Sequence, residues 1–100
     1  MIDLEKKHLD VILVLLAKHV PECEVRVFGS RVDGSAKKYS DLDLALVSDK
    51  KLDWKRLEDL KLAFSESDLP MKVDVLDFND ISENFKAIIR QHCEIIGVRS

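Results

Sequence analysis

Val27-Phe28-Gly29-Ser30-Arg31-Val32-Asp33-Gly34-Ser35-Ala36-Lys37-Lys38-Tyr39-Ser40-Asp41-Leu42-Asp43-Leu44 links two alternating segments through a glycine turn. Upstream, residues 23–28 alternate as a strand does, with Cys23, Val25 and Val27 on one face and Glu24, Arg26 and Phe28 on the other. Downstream, residues 41–47 alternate again. Leu42, Leu44 and Leu46 share a face suited to packing on helices, while Asp41, Asp43, Ala45 and Val47 share the opposite face. Gly29-Ser30 follows its strand directly, as a strand-to-helix turn should. Glycine lets backbone approach a ligand without a Cβ in the way, and amides opening a helix direct their positive ends at an anion such as phosphate. Ten residues then separate Ser30 from Asp41. Two carboxylates two apart on a strand can reach one oxygen-ligated cation, or two cations sharing a ligand. The stretch reads as a holder of a metal-bound nucleoside triphosphate.

Outward from it, helical and extended patterns alternate, which argues for an α/β or α+β layered fold. Residues 3–19 carry a helical stripe of Leu9, Ile12, Leu13 and Leu16, continued by Val20 and widened by Val11, Val14 and Leu15, and Pro21 ends the helix. Asp53 is placed to cap another helix bearing Trp54, Leu57, Leu60 and Phe64, all expected in the core. In the strand expected over 72–77, Val73 and Val75 form the packed face, so Asp74 projects to the other and joins Asp41 and Asp43 if the strands are neighbours. Asp77 has the wrong parity and suits a turn or a solvated position. Asp80-Ile81-Ser82-Glu83 resembles a capping box with Asp as the cap. It opens a final helix with Ile81, Phe85, Ile88, Ile89 and Cys93.

Composition narrows the function classes. A chain of 100 residues suits one domain, expected to span 1–100, and leaves no room for a second one to bind an acceptor. No apolar run approaches the roughly 18 residues that suggest a membrane span, and the first ten residues are too charged for a signal peptide, so a cytoplasmic address is expected. The net charge of −3 lacks the basic excess that grips long nucleic acid. Cys23 and Cys93 have no zinc-ligand spacing and read as reduced thiols. His8, His19 and His92 are scattered and read as ordinary side chains.

Val27-Phe28-Gly29-Ser30-Arg31, then Ser40-Asp41-Leu42-Asp43-Leu44, then Val73-Asp74-Val75 resemble the minimal nucleotidyltransferases, the MNT group of the DNA polymerase β superfamily. The resemblance spans nearly the whole chain, and its specificity lies in the ordered set rather than in Asp-x-Asp alone. It implies a small mixed sheet backed by helices, two magnesium ions held by Asp41, Asp43 and Asp74, and transfer of a nucleoside monophosphate. Gly29, Ser30 and Arg31 would contact the triphosphate, with Lys37 and Lys38 as weaker candidates. Where many relatives carry a basic residue, this chain has Asp33.

Such small proteins are commonly paired with a helical HEPN protein as toxin and antitoxin. The resemblance therefore implies ATP as donor and a tyrosine of that partner as acceptor. Two other readings stay open: a non-catalytic antitoxin that neutralises its partner by contact, and a catalytic subunit acting on a small molecule gripped by another chain. Three acids placed together against their mutual repulsion favour the enzyme. Apolar surface on the first and last helices beyond what a small core can hide suits association with another chain or another copy.

Overall fold

The computed structural model describes residues 4–37 and 40–97. Its elements, in chain order, are α1 (Lys6–His19), β1 (Glu24–Phe28), α2 (Ser30–Asp33), β2 (Leu42–Val47), α3 (Trp54–Ser65), β3 (Val73–Asp77), a 3-10 turn (Phe78–Asp80), α4 (Glu83–Gln91) and β4 (Glu94–Gly97). The four strands form one mixed sheet in the order β3-β2-β1-β4. β1 is antiparallel to both β2 and β4, whereas β2 and β3 are parallel. A parallel pair needs a crossover, and α3 supplies it.

The alternation in β1 and β2 divides the sheet into two unlike faces. On the first, Val25, Val27, Leu42, Leu44, Leu46 and Val75 are buried against Ile12, Leu16, Leu60 and Phe64 of α1 and α3. Each fully buried aliphatic side chain in such a core contributes about 1.5–3 kcal/mol relative to exposure. On the second face, Ala45 lies beneath Phe78 and Ile89, with Phe28, Val47, Leu76, Ile81 and Phe85 packed around them. The Phe28 and Phe85 rings meet edge to face at 5.8 Å. Arg26, Lys86 and Arg90 surround the Phe78 ring at 5.9, 5.8 and 5.2 Å, so cationic groups cover the rim of this smaller cluster.

Several expectations are revised. Asp53 does cap α3, accepting from the Lys55 amide at 3.1 Å, but Trp54 is 74% exposed. The helix joins the core one turn later, at Leu57. The cap of α4 is Ser82, whose hydroxyl accepts from the Phe85 amide at 3.1 Å, because Asp80 is taken up by the 3-10 turn. Ile88 is exposed rather than packed, and Cys93 follows the helix instead of belonging to it. β4 was not foreseen. Asp77 takes the turn role but is buried, its carboxylate accepting from the Leu52 and Asn79 amides at 2.7 and 2.9 Å. The expected start of the first helix at Asp3 and the candidate Lys38 lie outside the described residues. No described helix is long and apolar enough to cross a membrane.

Candidate active site

Registry builds the site. Phe28 of β1 pairs with Asp43 of β2, and Asp43 pairs with Asp74 of β3. The three side chains therefore form one row across three strands, on the face opposite the large core, with neighbouring strands about 4.8 Å apart. The condition set by the sequence, that the second and third acids stand on adjacent strands, is met. Asp41 lies one residue before β2 and is exposed. Its charge still reaches Asp43.

Burial raises the Asp43 carboxyl above the usual aspartate range, and the negative charges of Asp74 and then Asp41 push it further in the same direction. Lys72, two residues before Asp74 and on the same face, has its ammonium 3.5 Å from an Asp74 oxygen. This counter-ion escaped the sequence reading, although the period of two that paired Asp41 with Asp43 also pairs Lys72 with Asp74. Among the described residues, no three His, Cys, Asp or Glu side chains gather closely enough to hold a metal ion by themselves.

Gly29 abuts Asp43. Its φ of 82° lies in the region that disfavours side chains, and a Cβ there would run into the Asp43 carboxylate. Glycine is thus required twice over, once by the backbone and once by the acid beside it. Ser30 opens α2, the turn that the Gly29 carbonyl closes by accepting from the Val32 and Asp33 amides at 3.0 and 3.1 Å. The first amides of a helix lack acceptors within it, the property a phosphate oxygen uses.

Arg31 is buried, and its Nε and Nη2 donate to the Ser40 carbonyl at 3.1 and 2.9 Å. The guanidinium thereby ties the glycine turn to the residue immediately before Asp41, a tie that spacing alone could not reveal. Ser40 is fixed again by its hydroxyl, which accepts from the Lys37 amide at 2.8 Å. Asp33 is exposed and held below the usual aspartate range by the Ser35 hydroxyl and amide, so its carboxylate serves the loop.

Acids near the starts of neighbouring strands, beside a glycine turn that opens a helix, make an oxygen-rich, anionic surface of a kind that suits cations and phosphate oxygens. Comparison with known proteins bears on the family and the fold. The family model described as polymerase beta, nucleotidyltransferase, matches residues 10–100. A Haemophilus influenzae protein named probable protein adenylyltransferase MntA is 50% identical over 90 residues, covering 90% of this chain and 79% of that protein. Among solved structures, a toxin–antitoxin complex with AMP-PNP superposes with a TM-score of 0.69 at 22% identity, covering 92% of this chain and 74% of its counterpart. The complex of a tri-AMPylated Shewanella oneidensis HEPN toxin with its MNT antitoxin gives 0.65 at 20% identity, covering 95% and 73%. At such identities the structural likeness establishes the fold, while the family match and the half-identical relative establish kinship. Matched by that family model over most of its length and half identical to that relative, the chain belongs to the polymerase β nucleotidyltransferase family.

Proposed function

We propose that this protein is an adenylyltransferase that moves AMP from ATP to a hydroxyl of a protein partner, a tyrosine of a HEPN-type toxin that it neutralises. The observation that carries the reading is the row joining Asp43 to Asp74, with Gly29 in contact with Asp43. The Haemophilus influenzae relative supports the activity by its name, and the toxin–antitoxin complexes support the partner. Both thiols, Cys23 and Cys93, are free, which suits a reducing cytoplasm.

Magnesium fits the donor set. All three acids offer hard oxygen, and magnesium takes one or two carboxylates and completes its shell with water and phosphate oxygens. Burial and two neighbouring charges disfavour the ionised form of Asp43, an imbalance that a dication relieves. Asp41 and Asp43 would hold ions on the triphosphate side, and Asp74 would hold one on the acceptor side. Such ions, when bound, screen the charge growing on the entering and leaving oxygens.

The chain's own groups do the rest. Gly29 and Ser30 bind triphosphate oxygens through backbone amides and the Ser30 hydroxyl, and Arg31 keeps Ser40 and Asp41 in register with that turn. The acceptor oxygen bonds to the α-phosphorus as the bond to the pyrophosphate oxygen breaks. Asp74 serves first as a ligand and second as the base that receives the hydroxyl proton.

Intact-mass analysis of the co-expressed HEPN-type partner, incubated with this protein, ATP and magnesium, tests the proposal. Whole AMP units added by the wild type and not by Asp43→Asn support it. A stable complex with no mass gain replaces it with neutralisation by contact.

A further inference from the structure

We infer that the acceptor hydroxyl is presented on an extended segment of the partner that adds as a strand to the open edge of β3. The inference rests on the reading of Asp41, Asp43 and Asp74 as the transfer site. β3 is the terminal strand beside β2, and its free edge is regular, whereas β4 at the other end pairs with β1 through a register shift at Val25 and Arg26. The Leu42 amide donates to the Lys72 carbonyl at 2.9 Å, so Lys72 turns its backbone groups toward β2. By the alternation of a strand, Val73 and Val75 turn theirs outward, ready to pair.

The row Phe28–Asp43–Asp74 runs straight to this edge. The next place in the row belongs to a residue on an added strand, about one strand spacing from Asp74 and on the same face. A hydroxyl side chain there meets the acids from the acceptor side. Its two chain neighbours then point to the opposite face, where a groove of about 780 Å³ runs between α3 and β3. Leu62, Leu69 and Met71 line it beside Val73 and Val75, and Asp74 borders it. Leu62 is 57% exposed, a large apolar side chain left without cover at the place where an added strand would set an apolar one. The groove is thus continuous with the reacting row. The acceptor it fits has an apolar-hydroxyl-apolar pattern, held by main-chain bonds and selected by alternate side chains.

Val73→Pro and Leu62→Lys test this. Proline at the first residue of an edge strand removes an outward amide together with the Val73 packing on the large core, so it is read beside Leu62→Lys, where the side chain is exposed enough for lysine not to disturb the core. With the HEPN-type partner as acceptor, each variant is expected to raise the KM for the partner at least about tenfold, an effect of about 1.4 kcal/mol. The KM for ATP should stay unchanged, as should everything in Ile95→Lys on the β4 edge. If both variants fold and transfer like the wild type, the docking edge is overturned while AMP transfer stands. Should the wild type transfer nothing, hydrogen exchange decides separately: new protection of the Val73 and Val75 amides in the complex supports strand addition, and unchanged exchange refutes it. Protection that appears without the partner and grows with protein concentration assigns the edge to a second copy of this chain and also overturns the inference.

Discussion

The two faces of β2 are built from alternate residues of the same six-residue strand, yet they are finished differently. Leu42, Leu44 and Leu46 are all fully buried, and α1 and α3 cover that face along its whole length. On the other face the Phe78 and Ile89 cluster covers Ala45 and stops short, leaving Asp43 partly exposed in the row it shares with Asp74. The covered face supplies the burial that holds the strands together beneath the acids. The incomplete face carries a local destabilisation, three carboxylates with Lys72 as a counter-ion beside Asp74. Stability and chemistry are therefore separable by parity: neighbouring residues in the chain should fail in different ways when replaced.

The largest effect is expected from Asp43→Asn. Transfer should fall by on the order of ten-thousandfold, about 5 kcal/mol of barrier, with the fold intact. Its stability should move the other way. A carboxyl raised in the folded protein is protonated in both states at low pH and contributes nothing there. As pH rises through the ordinary aspartate range, the unfolded chain gives up its proton first, and the folded state loses stability until Asp43 also ionises. Asn removes that loss. In EDTA the variant should melt with the wild type below the ordinary aspartate range and above it at neutral pH, as read by thermal unfolding. If it melts lower at neutral pH, Asp43 is a structural residue and the contrast between the faces fails.

Leu44→Ala, one residue along, should do the reverse. The side chain is fully buried in the large cluster, so unfolding in urea should show a loss of about 2–5 kcal/mol from transfer and cavity terms. Transfer per folded molecule should stay within a few-fold of wild type. A large loss of kcat with unchanged stability would mean that the two faces are coupled.

Parity is also why so much was legible beforehand. The strands through Val27, Leu44 and Val75, the capping role of Asp53 and the acid row follow from a period of two and a few turn residues, which are local properties of the chain. What stayed hidden depends on where elements end in space. Trp54 sits at helical spacing with Leu57, Leu60 and Phe64, and only the finished packing shows that the helix has not yet reached the core there. β4 is four residues long and begins three residues after α4, too short for alternation to mark it, and Ile95 and Ile96 become a strand only because β1 offers an edge. Ser82 took the cap from Asp80 because a 3-10 turn intervened. The sequence shows Arg31 only as a cation that follows Gly-Ser. Its hydrogen bonds to Ser40 cross nine residues of chain, a distance local patterns do not encode.

That tie sharpens the comparison further, because it holds the residue just before Asp41. Nε and Nη2 of Arg31 meet one carbonyl in the fork geometry of a guanidinium. Lysine keeps the charge and loses the fork. Arg31→Lys should therefore lower kcat about tenfold, about 1.4 kcal/mol, by loosening Ser40 and with it Asp41. Unfolding should shift by less than about 1 kcal/mol. A rise in the KM for ATP with kcat unchanged would move Arg31 from positioning Asp41 to binding the triphosphate.

The smallest effect lies on the rim of the covered face. Arg56 of α3 grips Glu22, just before β1, through Nη1 and Nη2 at 2.5 and 2.8 Å, and Nη2 also donates to the His19 carbonyl at the end of α1. The hydrogen bonds from Arg56 lower the Glu22 carboxyl to about 2. A group depressed in the folded state contributes above its ordinary pKa and loses that contribution as pH falls toward the depressed value. Glu22→Gln should therefore be less stable than wild type at neutral pH, with the difference shrinking below about pH 4.5 and gone near pH 2. Both partners are largely solvated, so screening holds the contribution to about 0–1 kcal/mol despite the bidentate geometry. Transfer should be unaffected, since the pair clamps α1 to α3 on the side of the sheet away from the acids. Even a modest loss of kcat here, at full stability, would show that the fit of the two helices reaches through the sheet to Asp43, and that the parity dividing the faces does not insulate them.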